Sequence, residues 1–348
     1  MAWVKGELLA DLDASGVDPT AQLVRTTQPR LFDRIEWFRR VLRHGERQLQ
    51  PLIARAASEG TLAWLLFART TQGDFEALAN WYTMAFRPIF AGAPEDTRKL
   101  AMLTAIAKRL RIMRGAPGRI TMAPVPNADG TSAMLARAFK RSGWIVSVNQ
   151  VSTSWTASVA GMSFDDYWEA RPGQLRSTYK RKSAKAEFDV KIYDTFDENA
   201  WADYEAVYAD SWKPEEGSPN FLRQTALHEG DAGCVRIGIC RIDGEAVAAQ
   251  FWTVEDGIAY IHKLAHRESA QELSAGTILS AALFRHVIDV DHVDTIDFGT
   301  GDDPYKADWM DASAPLDRVQ AFNPASVSGI GGAARASLSS LVARVRGR

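Results

Sequence analysis

Hydrophobic and polar positions along this chain switch between two spacings, and each switch marks an element. In "PRLFDRIEWFRRVLRHG", Leu31, Ile35, Phe38 and Leu42 recur three and four residues apart, which predicts an amphipathic helix with arginines on its other face and Gly45 as its stop. The apolar run "LAWLLFAR" then reads as a strand, followed by the aromatic segment "NWYTMAFRPIF". A helix over "DTRKLAMLTAIAKRLRIMRG", a short strand "GRITMAP", a helix "TSAMLARAFKRSGW" and a strand "IVSVNQVSTSW" complete an alternating first half.

The second half opens at Ser163, which caps a short helix with Asp166 as the reciprocal acid three residues on. Pro172 and Gly173 break that helix and a very basic one starts. "WADYEAVYADSW" sets Trp201, Tyr204, Tyr208 and Trp212 down one helical face, a spacing that suits packing against a sheet. Three strands follow, "CVRIGICRIDG", "EAVAAQFWTVEDG" and "IAYIHKLAHR", joined by Asp-Gly turns that predict antiparallel hairpins. A helix "AGTILSAALFRHVIDV" and a strand "VDTIDFG" end the series. Both halves thus close on a helix and then a strand, a faint internal repeat.

Composition narrows the function. The 348 residues suit two domains, and 46% hydrophobic with 24% charged residues is a globular balance. A formal net charge of −2 argues against a generally basic nucleic-acid binder, so any cationic site is local. Two cysteines, Cys234 and Cys240, make neither a zinc site nor a disulfide framework and read as small reduced hydrophobes; no metal is expected. The N-terminal stretch, with Glu7 and Asp11 and no long apolar core, does not read as a signal peptide, and "LAWLLFA" is too short to span a bilayer. The expected location is the cytoplasm.

The order of elements, together with "YWEARPGQLRSTYKRK", Ser211 to Lys213, Ser274 to Thr277 and the strand end "DFGTGDDPYKADW", resembles the GNAT acyltransferase superfamily, in particular the CelD-type branch related to the FemAB proteins. Many of those relatives carry Ser-Pro-Gly where this chain has Ser274, Ala275 and Gly276. The resemblance covers most of the second half and the first half loosely. It implies an α/β (α+β) fold of two tandem GNAT-like domains, each a mixed, mostly antiparallel sheet flanked by helices. The expected boundaries are a degenerate domain at 1–155, a catalytic domain at 156–325, and a flexible linker with a basic amphipathic tail at 326–348.

Such a site joins a thioester to an amine, and the resemblance implies acyl-CoA as donor, an acyl carrier protein being the alternative. The pantetheine arm would pair with exposed backbone between the strands "IAYIHKLAHR" and "VDTIDFG". Ser274, Gly276 and Thr277 would receive the diphosphate at a helix N-terminus, although a plain N-cap fits the same residues equally well. The basic run from Arg171 to Lys185, with Arg176 and Lys180 foremost, would meet the adenosine phosphates; a solvated face is the competing reading. His262 is the conventional proton acceptor in reach of neutral pH, with His266 as the weaker candidate. The backbone N–H of Lys263 or Leu264 would polarise the thioester carbonyl. Asp297, near the strand end, would bind the acceptor ammonium or take its proton, with Lys306 paired to Asp297 or Asp302. Asp302, Tyr305, Trp309, Trp212 and Lys213 would line the acceptor end; a structural aspartate–lysine bridge closing a turn is the alternative for this corner.

The resemblance also implies a cell-envelope acceptor, either a polysaccharide amino sugar or the long-chain sphingoid base of ceramide. The tail "RASLSSLVARVRGR" adds a stripe of Leu338, Leu341, Val342 and Val345 with four arginines, a pattern that suits the anionic cytoplasmic face of the inner membrane. A FemX-like transferase using aminoacyl-tRNA and a non-catalytic GNAT scaffold are the competing readings. The first half lacks the glycine–hydroxyl loop and the acidic strand end, and is expected to wall the acceptor site without binding CoA.

Overall fold

The computed structural model describes residues 4–346, with side chains as far as residue 337. The chain divides into two units, Met1–Thr153 with Ala314–Arg348, and Ser154–Ser313.

The first unit begins with strand β1 (Lys5–Leu9), a 3-10 turn at Leu31–Asp33 and helix α1 (Ile35–His44). The expected stripe is buried at Leu31, Ile35 and Phe38, with Val41 rather than Leu42 as its fourth member. Arg34 is buried as well, and donates to the carbonyls of Gln28 and Pro29. Strands β2 (Gln50–Ser58), β3 (Thr61–Arg69), β4 (Phe75–Ala77) and β5 (Ile89–Ala91) lead to α2 (Asp96–Ile112), β6 (Arg119–Pro126), α3 (Thr131–Arg141) and β7 (Ile145–Ser158). β1, β2 and β3 pair antiparallel, while β4 joins β3 antiparallel and β6 in parallel. Leu65, Phe67, Leu103, Ile106, Met122 and Phe139 centre the core.

The chain crosses into the second unit within β7. Helix α4 (Phe164–Glu169) carries the expected capping box of Ser163 and Asp166. Helix α5 (Gly173–Ser183), strand β8 (Asp189–Tyr193), helices α6 (Glu198–Ala209) and α7 (Pro219–Asp231) and strands β9 (Val235–Ile242), β10 (Glu245–Glu255) and β11 (Ile258–His266) follow. Helix α8 (Ala275–Asp289) and strand β12 (Thr295–Thr300) complete the unit. β8, β9, β10 and β11 are antiparallel neighbours, β12 is parallel to β11, and the last residues of β7 run antiparallel to β12. Both expected hairpin turns hold: Asp243–Gly244 and Asp256–Gly257 each have two left-handed residues, matching the twist of the strands they join.

Strand β13 (Ala312–Phe322) carries the chain back, and its residues from Leu316 pair with β6. The stretch 314–325, which the sequence assigns to the second domain, thus serves the first. The last helix, α9 (Val327–Arg346), starts where the sequence suggests a flexible linker. Its glycines allow close packing rather than freedom: a Cβ on Gly329 would lie 2.2 Å from the Asn323 carbonyl oxygen, and one on Gly332 would lie 2.8 Å from the Phe322 ring. The apolar stripe from Leu338 onward lies outside the described side chains. No helix among the described residues is long and apolar enough to cross a membrane.

Candidate active site in the second unit

The two strands expected to diverge do so. β11 and β12 pair at Ile258 with Thr295, Ala259 with Ile296 and Tyr260 with Asp297, and among the described residues their mutual pairing stops there. Each strand then keeps only its outer neighbour: β10 follows β11 as far as Ala248 with His266, and β7 follows β12 to Ser154 with Thr300. A bulge starts the divergence. The register with β10 passes from Trp252 opposite Ile261 to Phe251 opposite Lys263, so His262 is the extra residue, and an extra residue re-aims its strand. Two facing edges of backbone N–H and C=O groups are the result, and such edges bind an extended chain.

His262 has a settled position. Its Nε2 lies 2.8 Å from Thr253 Oγ1 and its ring stacks on Phe251 at 5.1 Å. Lys263, the next residue, donates from Nζ to Glu216 Oε1 at 2.8 Å and lies over the Tyr208 ring.

At the far end of β11 the site meets the start of α8. Ser274, left-handed at φ 56°, is its N-cap, and the Ser274 side chain does not cap the helix; the Thr277 N–H closes a turn on the Ser274 carbonyl at 2.9 Å, which leaves the N–H groups of Ala275 and Gly276 to face an anion. Gly276 touches His266: a Cβ there would lie 3.2 Å from the imidazole. The His266 ring in turn carries Trp212 at 4.4 Å, and Trp212 is half exposed. Trp212, expected among the acceptor residues, therefore stands beside the expected diphosphate position. Basic helix α5 reaches the same end, since Lys182 Nζ bonds the Glu272 carbonyl just before α8. Lys180 is exposed, whereas Arg176 donates from Nε to the Arg171 carbonyl at 3.1 Å. Arg171 is a structural residue: it is buried, paired with Asp311 and set 4.5 Å over the Tyr167 ring.

The acidic corner differs in detail from the expected one. Asp297 Oδ1 accepts the Gly299 N–H at 2.8 Å, which folds the strand end back on itself. Lys306 pairs with neither Asp297 nor Asp302. Its Nζ bonds the Thr300 carbonyl at 2.6 Å and lies 3.6 Å from Asp303, because the loop turns at Gly301 (φ 119°) and passes directly over the ammonium. The Lys306 side chain is almost wholly buried, and burial lowers its pKa. Asp302 is exposed, and Tyr305 is partly exposed with its ring edge-on to Phe298. Trp309 belongs to the core, against Phe284 and Trp168, with its carbonyl taking the Tyr167 hydroxyl at 2.6 Å. That burial removes it from the acceptor wall.

Two features were not legible in the sequence. α7 folds beside α6, and between them Trp201, Tyr204, Tyr208, Leu222, Pro214 and Pro219 wall a cavity of about 440 Å3. Its polar rim includes Lys213, Glu215 and Glu216. Glu216 is the buried partner of Lys263, an ion pair across 47 positions that local pattern cannot reveal. The only advance signal was the acidic pair in "KPEEG" just after an aromatic helix.

Lys213 links the parts. Burial chiefly, and the Lys263 charge after it, lower its pKa from 10.5 to about 8, with Lys306 adding to the effect and Asp303 and Glu216 opposing it. Below pH 8 both folded and unfolded chains hold the proton, so the cost of burying the charge is fully present. Between pH 8 and 10.5 the unfolded chain binds more protons, and stability rises with pH. Lys213→Met is therefore expected to stabilise the protein at pH 7, by up to about 3 kcal/mol, and to change little at pH 11. Urea midpoints at the two pH values test this, and an equal effect at both would contradict it.

Residues 173–307 match the model for the acetyltransferase (GNAT) domain. No curated protein sequence is similar enough to match. Among solved structures, the chain is similar to L-PGS from Bacillus licheniformis (11% identity, 89% of this chain and 96% of that one, TM-score 0.53). It is similar also to a tandem GNAT protein from the clavulanic acid biosynthesis pathway (13%, 92% and 98%, TM-score 0.51) and to FemX (11%, 77% and 87%, TM-score 0.51). At these identities the likeness is one of fold. Residues 173–307 therefore carry a GNAT acetyltransferase domain, a domain type that generally takes acyl-CoA as donor and an amine as acceptor, and the three solved structures share the fold of most of the chain.

Proposed function

We propose that the second unit transfers an acyl group from acyl-CoA to the primary amine of a cell-envelope acceptor, a long-chain sphingoid base or a polysaccharide amino sugar. The divergence of β11 from β12 at the His262 bulge carries this reading. The residues present fit the donor. Two open strand edges suit the amides of a pantetheine arm, the uncapped N-terminus of α8 with a side-chain-free Gly276 suits a diphosphate, and α5 supplies cations beside it.

In the reaction the neutral amine attacks the thioester carbonyl carbon, the C–N bond forms, the C–S bond breaks, and the free thiol leaves with one proton. His262 takes the proton from the amine, directly or through a water, and Thr253 holds its ring. The N–H of Lys263 or Leu264 receives the developing oxyanion where the strand leaves its partner. Asp297 attracts the incoming ammonium, and Lys306 is a positioning residue that ties down the loop after β12.

The aromatic cavity between α6 and α7, with carboxylates at its rim, supports an acceptor that combines an ammonium with an apolar or ring-shaped body. The volume lies within the usual range for a small-molecule site. The basic, apolar-striped C-terminal sequence favours an acceptor held at an anionic membrane face.

The test is amine-dependent release of free thiol by purified protein, with sphinganine and glucosamine offered against short- and long-chain acyl-CoA, and with mass spectrometry of the N-acyl product. Transfer from acyl-CoA without tRNA is the expected result. Transfer only from aminoacyl-tRNA, or none from any donor, would overturn the proposal.

A further inference from the structure

The first unit contains a larger cavity, of about 850 Å3, that the reading of the second unit does not use. Five basic side chains line it, Arg30, Arg87, Lys99, Arg137 and Arg141, against two acidic ones, Asp96 and Asp129. Both acids are already engaged. Asp129 bonds Arg87 at 3.1 Å and Asp96 bonds Lys99 at 3.0 Å, while Arg30 lies 3.8 Å from the buried Asp33. Arg137 and Arg141 have no carboxylate within 4 Å among the described residues. They stand one turn apart on α3 and line the same cavity, an arrangement in which two like charges destabilise their own helix. An anion held between them reverses that cost.

The backbone adds to the field. The first turn of α2, at Asp96 and Thr97, and the start of α3, at its N-cap Gly130 and at Thr131, both border the cavity; neither N-cap side chain caps its helix, although Asp129 Oδ1 already takes the Thr131 N–H at 3.0 Å. Helix N-termini carry partial positive charge, so they act in the same sense as the arginines. The volume lies near the upper end of the range for ligand pockets and far exceeds that of one inorganic ion. Phe90 and Met134 supply apolar wall for the rest of such a ligand.

We propose that this cavity in the first unit binds an organic phosphate, with Arg137 and Arg141 gripping the phosphate group and the α2 and α3 first turns completing its cradle. Guanidinium groups suit phosphate because their fixed fork matches two of its oxygens. The proposal is independent of acyl transfer in the second unit.

Calorimetric titration of the full chain with pyrophosphate, ADP and glucosamine 6-phosphate tests it, with hydrogen exchange read on the same complexes. One saturable site is expected that weakens at least tenfold in R137A/R141A, and protection is expected in peptides over 96–101 and 129–141. The two arginines are exposed, so circular dichroism of the double variant should match wild type. A stronger response to ADP or to the sugar phosphate than to pyrophosphate would identify which organic moiety the cavity takes. Absence of saturable binding by all three probes would overturn the proposal. So would protection confined to 274–280, or an isotherm unchanged in R137A/R141A.

Discussion

His262→Ala is expected to lower kcat for amine acylation by about 10^2- to 10^4-fold, the usual contribution of a positioned general base, and to leave acyl-CoA affinity within a few-fold of wild type. The reason is geometric. As the bulged residue, His262 lies where β11 turns away from β12, and its Nε2 already has a hydroxyl partner in Thr253. His262→Gln keeps a hydrogen-bonding group beside Thr253 without a titrating base, and separates lost packing on Phe251 from lost chemistry. If His262→Ala retained kcat within threefold, the histidine would be a packed strand residue and the base would have to be found elsewhere.

Gly276→Glu should weaken acyl-CoA binding by 100-fold or more, about 2.7 kcal/mol, measured by titration with a non-hydrolysable thioester analogue. Two effects add. A Cβ at this position meets the His266 ring at 3.2 Å, so the imidazole and the Trp212 stacked on it must shift by a few tenths of an ångström. The new carboxylate also occupies the positive end of the α8 dipole and repels a diphosphate. An acid in the first turn favours the helix itself, so the variant should fold as well as wild type. Gly276→Ala brings the contact without the charge and should cost about tenfold or less. Wild-type affinity in Gly276→Glu would mean that the donor enters by another route.

The two Asp-Gly hairpins and the capping box were legible because each rests on residues close together in the chain, whereas the parting of β11 and β12, with α8 between them in sequence, was expected only from the family resemblance. Strand β2, with Pro51 and three alanines in it, has a poor strand pattern and exists because β3 pairs with it along its whole length. β8, α7 and β13 went unread for the same kind of reason. Lys306 was expected to pair with Asp297 or Asp302. It found Thr300 and Asp303 instead, since the backbone path at Gly301 decides which oxygen faces the ammonium. Trp309 sits in a motif that otherwise faces the site, yet Phe284 and Trp168, both distant in sequence, draw it into the core.

By itself the order of residues determined the alternation of helices and strands, the hairpin turns, and a glycine with hydroxyl neighbours at the start of α8, because propensity, turn chemistry and capping act over a few positions. Only the tertiary structure decided where β11 parts from β12, which carboxylate meets Lys263, and that two sets of side chains scattered over the chain close around cavities. Those outcomes depend on register and on charges brought together from far apart, and no local window of sequence contains them.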